Sequence, residues 1–309
     1  MITRLVSLGN VIIDIVAEVP VLPERGGDVL AWHSALEVGG GFNQMAAAAR
    51  QGLDVAYAGA LGHGPFGDLA RQALQAEGIA TLLPDAADDQ RDTGFDVVLV
   101  EASGERTFVT AVGAEAGVTS QRLDHVEIQP TDALAISGYG LLHEANRQAI
   151  LGRLRRLSSE TTVCYDPGPL GHSLPEQVRD VVRRRVDWWS CNEREASLAT
   201  GRANAAEAAG ELLARLRRGN VVVRMGRSGC LLAQRGSEIV HVPGVPVTLV
   251  DTTGAGDAHF GAYIAGLAAG HDAETAARRA NIVAALSVTR RGPAASPTAE
   301  ETDRFLTGS

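Results

Sequence analysis

The sequence predicts an α/β fold: a central, mainly parallel β-sheet flanked by helices, with a small β-sheet lid. Three observations predict it. β-rich runs alternate with helix-periodic runs along most of the chain, the pattern of a parallel sheet covered on both faces. Two regions break that rhythm with strand-like alternation of their own. The 309 residues suffice to bury one large core.

The strand-like stretches are 3–9, 54–60, 133–137, 162–166, 187–190 and 220–225, and one more, 245–250, runs into a glycine turn. Between them the spacing predicts helices near 43–51, 67–77, 143–157, 175–185, 205–218, 255–269 and 272–289. Residues 28–38 alternate, with Leu30, Trp32, Leu36 and Val38 on one face and Ala31, His33 and Glu37 on the other. Residues 94–112 read as a hairpin turning at Ser103 and Gly104. These form the lid, inserted at about 15–38 and 93–113 into a single domain over 1–309. The lid's apolar side needs a cover, from the active-site cleft, from a second copy in a lid-to-lid homodimer, or from both.

Composition narrows the function. A formal charge of −9 argues against nucleic acid as a partner, since phosphate neutralisation needs basic surface. The most apolar stretch, 258–269, is too short and too rich in Gly and Ala for a membrane span. The first residues lack a signal-peptide layout, and Cys164, Cys191 and Cys230 are scattered and odd in number, so a cytoplasmic protein without a disulfide framework is expected. All 28 Lys-or-Arg residues are arginine. A Walker A loop and a protein-kinase site each require a lysine, so both classes are excluded. Any nucleotide phosphates must be held by backbone N–H groups and arginine.

The strongest local signal is Val250-Asp251-Thr252-Thr253-Gly254-Ala255-Gly256-Asp257, followed by a helical run of small residues. Glycines let the backbone approach an anion, and the helix start aims free N–H groups and its positive dipole end at it. Asp257 falls in the first turn, where that field is expected to lower its pKa and hold it ionised, ready to accept a hydroxyl proton. A capped helix after a glycine turn explains the same residues without chemistry. On the residues alone both readings stay open. Ala258, Gly261, Ala262, Ala265, Gly266 and Ala269 give the helix a small-residue face suited to close packing.

The segment resembles the D-T-x-G-A-G-D signature of the ribokinase-like (PfkB) carbohydrate kinase family, and further elements follow in the family's order. Val38-Gly-Gly-Gly-Phe-Asn43 resembles its glycine signature, and Asn192-Glu-Arg-Glu195 its N-x-x-E element. Asp14 matches its sugar-gripping aspartate, while Gly104-Glu-Arg-Thr107 and Asp166-Pro167 match the lid hairpin and a post-strand turn. The stretch from Val221 through Gly226, with Gly229, resembles the nucleotide-side strand, and residues 284–292 the final helix and loop. The resemblance spans essentially the whole chain.

It implies an enzyme that moves the γ-phosphoryl of ATP to a hydroxymethyl group of a sugar. Asp257 is the implied base, with the amides of Gly254, Ala255 and Gly256 stabilising the transferring phosphoryl. Asp14, Gly39, Gly40, Gly41 and Asn43 hold the acceptor; Asn192, Arg224, Gly226, Gly229 and Asn281 lie on the nucleotide side; Glu195 serves Mg²⁺. Asp251, Thr253 and the carbonyls of 288–292 resemble a monovalent-cation (K⁺) site. Each residue also has an explanation without chemistry: a strand-end Asp14, a turn and cap at 39–43, a surface Glu195, an Arg224 in a structural ion pair.

Departures from ribokinase itself leave the acceptor open. Ile12 and Tyr139 replace polar groups that face the sugar there, so a pocket with Ile12, Tyr139 and Trp32 or Phe42 suits a less polar acceptor such as a nucleoside. A catalytically idle sugar binder on this scaffold is the alternative outside the enzyme class. Gly62-His-Gly-Pro-Phe-Gly67 satisfies G-x-G-x-x-G, yet it follows a later strand and carries Pro65, which disfavours a dinucleotide site. His259 is expected to pack rather than react, and His63 is a weak ligand candidate; the histidines have no metal-ligand spacing.

Overall fold

The structure, a computed structural model, describes residues 1–84 and 90–307. Among these, thirteen strands form two sheets. They are β1 (Arg4–Ser7), β2 (Val11–Val19), β3 (His33–Gly40), β4 (Asp54–Tyr57), β5 (Ala80–Thr81), β6 (Phe95–Glu101), β7 (Arg106–Ala111), β8 (Asp132–Ser137), β9 (Thr162–Asp166), β10 (Trp188–Asn192), β11 (Asn220–Arg224), β12 (Gly229–Ala233) and β13 (Val240–Pro243). The large sheet runs β13-β12-β11-β10-β9-β8-β1-β4-β5, and the small one β3-β2-β6-β7.

From β11 to β5 the large sheet is parallel. Its strands bury alternate side chains on opposite faces, as period-two geometry requires. Leu5, Ala133, Ala135 and Val222 enter one core, with Met45, Phe260 and Tyr263 of the helices Gly41–Arg50 and Ala255–Ala268. Val6, Leu134, Ile136, Val221 and Val223 enter the other, with Ile150, Val182 and Leu212 of the helices Glu144–Arg156, Glu176–Arg185 and Ala205–Arg215. The expected helices all form, with ends shifted by a few residues. The three cysteines are buried and free. No described helix is long and apolar enough to cross a membrane.

Two expectations fail. Residues 245–250 are not a strand: Pro246 has no N–H to pair, and the Val250 N–H goes instead to the Val288 carbonyl at 2.8 Å. The sheet edge is finished by the antiparallel pair β12–β13, joined to β11 through Gly226 and Gly229. The small sheet also differs in extent, since 28–32 lie outside β3 and the strand β2 begins at Val11.

The helix Ala255–Ala268 lies in backbone contact with two neighbours. A Cβ on Gly261 would stand 2.3 Å from the Gln44 carbonyl oxygen, and one on Gly266 would stand 3.0 Å from the Ala276 Cβ. The small-residue face therefore serves packing, and it fixes where the helix begins.

The dinucleotide-like turn is closed from within. The Asp92 carboxylate accepts the N–H groups of Phe66 (3.0 Å), Gly67 (2.8 Å) and Thr93 (2.7 Å), occupying the start of the helix Pro65–Ala76 with the chain's own anion. A Cβ on Gly64 would meet that carboxylate at 2.6 Å. Asp92→Ala is expected to lower stability by about 1–2 kcal/mol, read from the urea midpoint at unchanged slope. An unchanged midpoint would show the cap to be dispensable.

Candidate active site

Most of the sequence-predicted residues converge at the carboxyl ends of the parallel strands, where open α/β sheets bind ligands. Asp166 ends β9, Asn192 ends β10, Arg224 ends β11, and Tyr139 follows β8. The helix start at Gly254 and the small sheet complete the surround.

Gly254 is the N-cap of Ala255–Ala268, at φ 71° and ψ 0°. A Cβ there would stand 2.0 Å from the Pro293 carbonyl oxygen, so this position admits only glycine. The Ala255 N–H turns back to the Thr252 carbonyl at 3.3 Å, which takes it out of the expected anion-binding set. The first-turn amides of Gly256 and Asp257 have no carbonyl one turn back within the helix to bond to.

Asp257 departs from expectation. Its pKa is raised to about 7 rather than lowered: burial dominates, the neighbouring Asp166 adds to it, and Glu195 also pushes upward. The Arg224 guanidinium and a hydrogen bond from the Asn43 amide oppose these without prevailing. The local dipole was legible in sequence; the desolvation and the carboxylate neighbours were not. A base with a pKa near 7 is well matched to proton abstraction at neutral pH.

On the acceptor side, Gly39, Gly40 and Gly41 each answer a close approach. A Cβ on Gly39 would meet the Asp14 carboxylate at 2.3 Å, and one on Gly40 (φ 63°) the Asn10 carbonyl at 2.5 Å. Gly41 donates its N–H to that same carbonyl at 2.7 Å. Asn43 is buried with Oδ1 unpartnered. Asp14 is pushed up to about 7 by burial first, then by Asp96, Glu37 and Asp257.

Asp96 went unnoticed in sequence. Asp14 pairs in register with Glu37 of β3 and Asp96 of β6, so three carboxylates stand side by side on one face of the small sheet. Asp96 Oδ1 is buried and unpartnered. Phe108, on β7, shares that face through its pairing with Val98. Tyr139 is raised by burial and by Asp96, Glu195, Asp257 and Asp166, which ties it to both halves of the cleft, and its ring lies over Gly168. Trp32 and Phe42 do not join them. The Trp32 indole donates to Glu18 at 2.7 Å, and Phe42 is in the core.

On the other side Arg224 donates to Asp166 at 2.8 Å and to Ser190, and stands 3.6 Å from Glu195. The ion-pair reading is thus realised, and the guanidinium also underlies the anion turn, 3.3–3.4 Å from where a Gly256 Cβ would be. Asn192 and Glu195 form a capping box: Asn192 Oδ1 accepts the Glu195 N–H, and Glu195 Oε2 accepts the Asn192 N–H, both at 2.8 Å. Glu195 is buried, not a surface carboxylate. Glu195 Oε1 takes no part in these bonds. Among the described residues no three His, Cys, Asp or Glu side chains are arranged to hold a metal ion, so a hydrated ion shared with a ligand suits Glu195 better than an all-protein cage.

Asn281 is interior: its amide nitrogen donates to the Val242 and Pro243 carbonyls, and its Oδ1 accepts from His259 Nε2 at 3.1 Å. It pins β13 to two helices instead of facing the cleft. His259, lowered to about 3 by burial and then by Arg224, is a neutral packing residue as expected. Gly226 and Gly229 shape the turn after β11.

The fold and site together define a phosphotransferase architecture of the α/β class, and the comparisons agree. The model for pfkB family carbohydrate kinases matches residues 2–300. The uncharacterized sugar kinase YegV of Escherichia coli (strain K12) is 31% identical over 298 residues, 95% of this chain and 91% of that protein. A ribokinase of Haemophilus influenzae is 28% identical, covering 98% of each. The Arabidopsis thaliana ribokinase complexed with ribose and ATP superposes with a TM-score of 0.80 at 23% identity, over 100% of both chains. The chain belongs to the PfkB family of carbohydrate kinases.

Proposed function

We propose that the protein transfers the γ-phosphoryl of ATP to a hydroxymethyl group of a polyhydroxylated sugar. The observation that carries this is Asp257 itself, a half-buried carboxylate in the first turn of the helix, with Asn43 on the acceptor side and Arg224 on the phosphate side. ATP as donor is supported by the ATP-bound Arabidopsis ribokinase. Asp14 and Asn43 orient the acceptor, Asp257 takes its proton, and the Gly254 and Gly256 amides receive the charge of the moving phosphoryl. Mg²⁺, held through Glu195 and the phosphates, would neutralise phosphate charge. The small sheet acts as a lid that keeps water from competing as acceptor.

Ile12 and Tyr139 pointed to a less polar acceptor such as a nucleoside. Asp96 weighs against that, because an unpartnered buried carboxylate oxygen beside Asp14 adds a second place for a donor hydroxyl, and a free sugar carries more of these than a nucleoside. A panel of sugars and nucleosides with ATP and Mg²⁺, read by ADP release, is expected to single out a polyhydroxylated sugar. Asp96→Ala is expected to raise KM for that sugar by about tenfold or more, with KM for ATP unchanged. Preferred turnover of a nucleoside would overturn the sugar reading, and sugar binding without ADP release would overturn the kinase reading.

A further inference from the structure

The Asp251 carboxylate, offered by the family resemblance as a monovalent-cation ligand, is taken. Its Oδ1 accepts Arg106 Nη2 at 2.7 Å, the Thr253 N–H at 2.9 Å and the Thr253 hydroxyl at 2.7 Å. Its Oδ2 accepts the Gly292 N–H at 3.1 Å. Three of these donors crowd Oδ1, which is fully engaged, and Oδ2 keeps one lone-pair direction. The Val288 carbonyl, another oxygen of the expected cation set, already accepts the N–H groups of Val250 (2.8 Å) and Asp251 (3.2 Å). Arg106 Nη1 also bonds the Thr252 hydroxyl at 3.3 Å. A potassium ion at this carboxylate would have to share it with the Arg106 guanidinium, which already places a positive charge on Oδ1.

Arg106 belongs to β7 of the small sheet, whereas Asp251 belongs to the loop that delivers Gly254 and Asp257. Both partners of the pair are about three-quarters buried, with side-chain exposures of 25% and 22%. Glu37 of β3 adds a second carboxylate close by, its Oε1 3.1 Å from where a Gly292 Cβ would be. Such an ion pair is screened less than a surface one.

We propose that Arg106 is the resident cation of the phosphoryl-binding turn. Its guanidinium supplies through Asp251 the positive charge that a monovalent ion would bring, and it does so only when the small sheet is seated. The enzyme then needs no added potassium, and lid seating and turn geometry are one event. Arg106 is a positioning residue, acting through Asp251. The proposal rests on the kinase reading of the turn.

The test compares wild type with Arg106→Ala in potassium chloride and in tetramethylammonium chloride, at equal ionic strength. Wild type is expected to show the same melting temperature in both and less than a twofold difference in kcat. Arg106→Ala should lose about tenfold or more in kcat, and recover part of it, together with a higher melting temperature, in potassium or guanidinium at low millimolar concentration. Arg106→Gln serves in the same comparison should the alanine variant fail to fold. A wild type activated fivefold or more by potassium, or a variant that keeps full kcat in tetramethylammonium, would overturn the proposal. Because melting is read without any acceptor, absence of turnover on every substrate sinks the kinase reading and leaves the cation result standing on its own.

Discussion

Asp257→Asn is expected to lower kcat by about 10²–10⁴-fold, with little change in KM for either substrate. The amide keeps the size and the Asn43 contact but cannot take the acceptor's proton. In the wild type, kcat should rise with pH through about 7 and level off above it, as the base ionises. Asp14 lies in the same range, so the two carboxyls titrate as a pair and the profile reports both. The asparagine variant's residual rate should lose the Asp257 share of that rise. Stability must move the other way. A folded pKa of about 7 against an unfolded 3.8 means the folded state binds more protons between those values. The unliganded protein therefore loses stability as pH rises from about 4 to 7, with the penalty complete above 7. Asp257→Asn should accordingly melt higher than wild type at pH 8 and much like it near pH 4. Wild-type kcat in the variant would remove Asp257 from the mechanism.

Gly254→Ala should damage both activity and folding. The residue sits at φ 71°, and the new Cβ would lie 2.0 Å from the Pro293 carbonyl oxygen. The tail cannot simply yield, because Arg50 holds the Ala294 and Ser296 carbonyls at 2.6 and 2.9 Å. The turn must shift instead, and a displacement near 1 Å at reacting groups costs about 100-fold in rate. Gly270→Ala is the control. Gly270 has φ 85° but nothing nearer to its would-be Cβ than Met1 Cε at 4.0 Å. That variant should lose about 1 kcal/mol and keep its kcat. Equal kcat loss in the two variants would show that backbone strain, not the placement of the amides, governs the rate.

The parallel sheet was legible because strands such as β1 and β11 bury both faces and stand between helix-periodic runs. The glycine signatures were legible too, since Gly39, Gly40 and Gly254 answer contacts with backbone or with Asp14 that any side chain would violate. What stayed hidden depended on partners distant in sequence. Asp96 gained meaning only from the register of β6 on β2, and Arg106 only from the reach of β7 to Asp251. The rise in the Asp257 pKa came from burial and from Asp166, neither of which a local dipole argument contains. The 245–250 run failed as a strand because a β-rich composition does not supply a pairing partner, and Pro246 has no N–H to offer one. Asn281, assigned to the nucleotide by resemblance, holds the Val242 and Pro243 carbonyls, a role that needs the tertiary fold to be seen.

The contact of Gly261 with the Gln44 carbonyl has a mechanical consequence. It clamps the helix that begins beside Asp257 to the helix that carries Asn43, leaving no slack for a side chain between them. Base and acceptor seat therefore sit on a common chassis, two helices packed backbone to backbone. A lid that moves in the proposed reaction is expected to flex elsewhere, where β2 leaves the Gly9 turn and where Arg106 meets the 251–253 loop. Amide hydrogen exchange should follow that division: slow along both clamped helices whether or not substrate is present, and slowed by substrate chiefly in β6 and β7.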